Sequence, residues 1–111
     1  MSEENVVLCA ASAYDEKYYL NPDFMGLPET VKEELQIMCV MYTAQVGGIL
    51  TLEYEEDGTL LLNVTYDEGD LLFDEIGSVL KIKQIQNEKQ DLLEALELYY
   101  KVFFLNENLE D

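Results

Sequence analysis

The sequence contains no histidine, no arginine and no tryptophan, and six lysines carry all of its positive charge. Without His there is no Ser-His-Asp triad, no Cys-His pair and no imidazole metal ligand. Without Arg there is no planar fork for a bidentate grip on phosphate or carboxylate. Glycines number six, with Gly47-Gly48 the single adjacent pair, and no Gly-rich phosphate loop is present. No apolar run reaches the ~18 residues of a membrane helix. The first residues, Met1-Ser2-Glu3-Glu4-Asn5, are acidic where a secretory leader is basic. A cytoplasmic chain with reduced thiols is therefore expected. Catalysis would have to rest on carboxylates, Lys, Tyr or Cys alone, so we expect a non-enzyme without a cofactor.

What is present is acid. Asp and Glu number 24, for a net charge of -18 over 111 residues. Such a surface repels nucleic acid and anionic membranes and suits cations or basic protein surfaces. Plain solubility is the bland explanation of the same charge. Hydrophobic residues make up 49%, too many for a disordered acidic tail. The length gives one domain, 1–111, with 106–111 a polar, frayed end. Cys9 and Cys39 sit among apolar neighbours and read as small core residues. Two sulfurs without His do not make a metal site.

Val6 to Ala11 reads as a strand, with Tyr18-Tyr19-Leu20 as its hairpin partner or an irregular segment, followed by a turn at Asn21-Pro22-Asp23. Pro28 opens a helix that Gly47-Gly48 ends. From Leu35 to Val46 that helix is apolar on nearly every side, as in a helix enclosed by its domain or shared with a partner chain. Residues 49–66 read as a hairpin about Asp57-Gly58. A two-residue loop would leave Leu60, Leu62 and Val64 beside Glu53 and Glu55. The three-residue loop Glu56-Asp57-Gly58 puts Leu50, Leu52, Tyr54, Leu60, Leu62, Val64 and Tyr66 on one face, so burial selects it, with Gly58 left-handed. Asp70 is the expected N-cap of the next helix, with Leu72, Phe73, Ile76, Val79 and Leu80 as its inward stripe. The last segment turns Leu92, Leu96, Tyr99 and Phe103 inward and Glu88, Asp91, Glu94 and Glu97 to water. Asn87 with Gln90 resembles a capping box and suggests a break, whereas an unbroken helix over 71–105 would imply a dimer. The fold class is α+β: an apolar helix on an antiparallel sheet containing hairpin 49–66, then two C-terminal helices.

Nine carboxylates and no Lys lie between Glu53 and Glu75. They fall at the hairpin tip and at the turn into the next helix, about 25 Å apart along a strand, so they are two places. Glu53, Glu55, Glu56 and Asp57 form one candidate interaction surface. Asp67, Glu68 and Asp70 are the candidate ligands of a divalent cation, although the alternating pattern and closing Glu of an EF-hand are missing. Water-facing strand positions, a turn and a helix start explain the same acids without a ligand. Tyr42, Tyr54, Tyr66 and Tyr99 fall on inward faces, while Tyr14, Tyr18 and Tyr19 follow no period and form a second candidate contact surface.

Four strings, Lys17-Tyr18-Tyr19-Leu20-Asn21-Pro22, Leu27-Pro28-Glu29-Thr30-Val31-Lys32, Val46-Gly47-Gly48-Ile49 and Phe73-Asp74-Glu75-Ile76-Gly77-Ser78, resemble a family of short uncharacterised proteins from clostridia-like Firmicutes. The resemblance spans about Leu8 to Phe104. It implies a bacterial, cytoplasmic setting and brings no activity or site residue. The function expected is therefore a small non-catalytic interaction or regulatory domain whose partner is another protein or a second copy of itself. The alternatives are a divalent-cation domain built on 67–75 and an acidic decoy that occupies a basic protein surface.

Overall fold

The computed structural model describes residues 5–106. Four strands form one antiparallel sheet in the order β2-β1-β3-β4: β1 (Val6–Ser12), β2 (Lys17–Leu20), β3 (Ile49–Tyr54) and β4 (Leu60–Thr65). Helix α1 (Glu29–Val46) carries the chain from the edge strand β2 across β1 to β3. Helices α2 (Glu75–Glu88) and α3 (Gln90–Phe103) follow β4. The expected tail lies, beyond Asn106, outside the described residues.

The β3–β4 pairing sets Leu52 opposite Leu62 and Tyr54 opposite Leu60, the register of the three-residue loop. Gly58 has φ +93°, and Glu55 N–H donates to Thr59 O at 2.8 Å. Leu50, Leu52, Tyr54 and Leu60 are buried, while Thr51, Glu53, Leu61 and Asn63 lie on the other face. Strand β1 adds Cys9 and Ala11 to the inner face, through a bulge between Val7 and Cys9. Asn21 closes that bulge region: its Nδ2 donates to Val7 O at 2.7 Å and its backbone N–H to Leu8 O at 2.9 Å. The same side chain caps a single 3-10 turn, Pro22–Phe24.

Helix α1 turns Leu35, Met38, Cys39, Tyr42, Thr43 and Val46 into the core. Its opposite side leaves Ile37, Val40 and Met41 exposed, so the apolar character seen all round it is only half used. At the other end of the sheet an aromatic cluster fills the space under α3. Tyr54 stacks on Tyr100 at 4.1 Å, Tyr100 on Phe104 at 4.9 Å, and Phe24 on Phe104 at 4.8 Å. Tyr54 Oη donates to Leu96 O at 2.8 Å, which satisfies a buried hydroxyl.

The second half of the chain corrects several expectations. The N-cap of α2 is Asp74, whose Oδ1 accepts from Gly77 N–H at 2.8 Å, and not Asp70. The physical reason is Phe73, which packs over Gly47 and Gly48 and stacks on Tyr66, keeping the turns over 68–72 out of the helix until that point. The expected inward stripe faces outward: Leu72, Ile76, Val79 and Leu80 are exposed, and Ser78 and Ile85 are buried in their place. Tyr66 is exposed as well, its ring covering Phe73. In α3 Tyr100 is buried and Phe103 is exposed, because Tyr100 continues the Tyr54–Phe104 stack. Glu97 does not face water freely, since its Oε2 accepts from Leu60 N–H at 2.8 Å. The C-terminal helices are two, but the junction is Lys89 with no side-chain cap; the Asn87/Gln90 box is not formed.

Candidate functional site

The cysteines, the tyrosines and the acidic clusters were the residues with chemistry to offer, and packing disposes of them differently. Cys9 from β1 and Cys39 from α1 are fully buried free thiols with Sγ atoms 3.9 Å apart. Tyr18 reaches the same place from β2, and its hydroxyl is buried without a hydrogen-bond partner. The hydrogen bond between Cys39 and Cys9, in which Cys39 keeps its proton, and then desolvation raise the Cys39 pKa.

Tyr14, Tyr18 and Tyr19 are not brought together. Tyr18 points inward and Tyr19 outward, as neighbours on one strand must. Tyr14, in the β1–β2 turn, donates to Asp70 Oδ2 at 2.6 Å and accepts from Asp67 N–H at 3.0 Å. It therefore pins the acidic turn 67–70 from 53 to 56 residues away in sequence. Asp70 Oδ1 is occupied by Leu72 N–H at 2.9 Å. Asp67, Glu68 and Asp70 do not converge: no group of three His, Cys, Asp or Glu side chains among the described residues could hold a metal ion.

The hairpin acids are placed as expected but are partly engaged. Glu55, Glu56 and Asp57 are exposed. Glu53 accepts from Asn5 Nδ2 at 2.8 Å. Asp57 accepts from Thr59 N–H at 2.9 Å, which lowers its pKa, and Lys101 of α3 stands over Gly58. The tip is thus a capped turn with one lysine beside it.

Tyrosine ionisation reports on these contacts. The hydrogen bond to Asp70 raises the Tyr14 pKa, and the one to Glu75 raises that of Tyr66. Desolvation raises Tyr18, Tyr42 and Tyr54. Folded values above the unfolded value of about 10 mean that this contribution to stability is complete below pH 10 and is lost as pH rises through the folded values. An absorbance titration should therefore show phenolate appearing at higher pH in the folded chain than in urea. Coincident curves would contradict the assigned contacts.

The feature that sequence reasoning missed is an apolar face on α2. Leu71 and Leu72 are 94% and 93% exposed, Ile76 is 76%, Val79 is 56% and Leu80 is 63%. At about 100° per residue, Ile76, Val79 and Leu80 lie opposite the inward side of the helix, where Ser78, Ile82 and Ile85 sit. Isolated exposed hydrophobes are ordinary, whereas a row along one helix makes a contiguous apolar patch. Between α2 and α1 runs a groove of about 380 Å³, with Ile37, Met38, Met41 and Ile85 among its walls and Glu33, Glu34, Glu88, Lys81 and Lys89 along it. Lys89 Nζ bridges it to Glu34 at 3.0 Å. Tyr42 Oη and Ser78 Oγ join the two helices by a buried hydrogen bond.

No helix among the described residues is long and apolar enough to cross a membrane. Residues 5–108 match the sequence model described as "Family of unknown function (DUF6145)". No curated protein and no solved structure matches the chain.

Proposed function

The chain belongs to that family of unknown function, and we propose that it is a non-catalytic protein-interaction domain of the bacterial cytoplasm that engages a protein through the outward face of α2. The single observation that supports this reading is the row Ile76, Val79 and Leu80, exposed along a helix whose other side already meets the core, with exposed Leu72 in the turn before it. Its cover is expected to be protein. The net charge of -18 opposes docking on nucleic acid or on an anionic bilayer. The missing His and Arg fit a role without catalysis. The hairpin acids fit a role in solubility and in selecting against acidic neighbours.

A photoreactive residue placed at Leu80 in producing cells tests the reading, with one at Asn63 on the open sheet face as control. One adduct of defined mass, identified by its peptides, is expected from position 80 and not from 63. No adduct from position 80, or the same mixture from both positions, would overturn it.

A further inference from the structure

Helix α2 has a distribution of charge unlike the rest of the chain. Residues 67–75 hold Asp67, Glu68, Asp70, Asp74 and Glu75 and no lysine. Residues 76–87 hold Lys81 and Lys83 and no acid. In a chain of net charge -18, this helix body combines the exposed apolar row with positive charge and no acid, beside the acidic stretch that precedes it. Lys83 lies on the same outward side as Ile76, Val79 and Leu80, by the 100° rotation per residue.

We infer that α2 pairs with α2 of a second copy of this chain, antiparallel across a two-fold axis near Val79 and Leu80. The inference rests on the interaction reading above and names its partner. Reversal about that axis sets Lys83 of one copy opposite Ile76 of the other, within one turn of that copy's Asp74 and Glu75. The reciprocal contact forms on the other side, as an isologous interface requires. A parallel pairing would set acid on acid and lysine on lysine. Antiparallel helices also place the positive end of one backbone dipole beside the negative end of the other.

The surface suffices in extent. A standard interface takes about 800 Å² from each partner, of which roughly 65% is apolar in homodimers. The stripe, with Leu71 and Leu72 in the turn before it, offers on the order of 500 Å² of apolar surface. The helix itself gains from the pairing. A segment of 14 residues is marginal in water unless tertiary contacts hold it, and among its side chains only Ser78 and Ile85 are buried.

Sedimentation of the full chain from 1 to 100 µM tests this. The wild type should dimerise in the micromolar range. Val79→Glu with Leu80→Glu should weaken association at least 100-fold while circular dichroism is retained, since both side chains face out. Val79→Ser with Leu80→Ser serves if the charged pair fails to fold. Lys83→Glu alone should weaken association about 10-fold at low salt, and adding Glu75→Lys should restore most of it. A dimer indifferent to the stripe variants overturns the inference, and so does a charge exchange without recovery. A wild type monomeric at 100 µM overturns it too; in that case an identified foreign protein crosslinked at Leu80 keeps the interaction reading standing, and no adduct removes both.

Discussion

Phe24→Ala is expected to lower stability by about 3–5 kcal/mol, the usual loss for a fully buried aromatic ring. Phe24 is inaccessible to solvent and lies in the 3-10 turn between β2 and α1. Its ring stacks against Tyr54 at 5.6 Å, Phe104 at 4.8 Å and Tyr100 at 6.4 Å. Removing it opens a cavity lined by stiff rings that cannot collapse inward. The loss therefore includes both transfer and cavity terms. A domain of this size loses about 4–8 °C of melting temperature per kcal/mol, so thermal unfolding should shift down by well over 10 °C. Phe103→Ala is the control, because Phe103 is 67% exposed and meets the cluster only at its rim, tilted against Tyr99 at 4.7 Å. It should change stability by less than about 1 kcal/mol. Urea or thermal denaturation of both variants decides the matter. A loss below ~1 kcal/mol for Phe24→Ala would mean that this cluster does not anchor α3 to the sheet.

The parts of this fold that could be read from the sequence are those in which a local rule has one answer. The hairpin register was such a case. A slip of one residue would put Leu60 and Leu62 on the same face as Glu53 and Glu55, so that burying the leucines buries the acids, and pairing Leu52 with Leu62 is the arrangement compatible with a core. The ends of α1 were another: Pro28 adjoins its start, and Gly47, at φ +86°, follows its last residue. Where two local answers were equally good, the sequence pattern chose wrongly. Asp70 and Asp74 are both sound N-caps, and only Phe73 packing on Gly48, from another element, separates them. Tyr100 and Phe103 are both aromatic, and the Tyr54 ring, 46 residues before Tyr100, selects between them.

The candidate site was harder to see for the same reason. Helix α2 carries apolar residues on two opposite sides, and a hydrophobic pattern does not state which side turns inward. Assigning Ile76, Val79 and Leu80 to the core hid the surface that the structure leaves open. The sequence ties a shared helix to residues 35–46, where five of the nine apolar side chains are buried, and to an unbroken helix over 71–105, which the chain interrupts at Lys89. Contacts spanning tens of residues, such as Tyr14 with Asp70 or Tyr18 with the Cys9–Cys39 pair, leave no local period at all. The hairpin acids were visible because a strand end and a turn expose them whatever packs elsewhere.

Gly48→Val is expected to cost about 3 kcal/mol and to weaken the α2 surface at the same time. Gly48 has φ +74°, a region that β-branched residues avoid. A Cβ at this position would stand 2.8 Å from Thr65 O and 2.8 Å from the Phe73 ring. The first neighbour is backbone in β4 and cannot retreat, so Phe73 must. Phe73 is next to the α2 N-cap, and Asp74 N–H donates to Val46 O at 3.2 Å, so the ring and the start of α2 move together. Gly69→Ala provides the contrast, since nothing lies within 4 Å of its added carbon and its φ is ordinary. It should be close to neutral, within about 0.5 kcal/mol. Denaturant unfolding gives the first number, and sedimentation at a temperature where both variants are folded gives the second. Loss of stability with unchanged association would show that α2 keeps its place without Phe73. Loss of both would trace the exposed face of α2 back to one glycine, whose missing side chain lets an aromatic ring set where the helix begins.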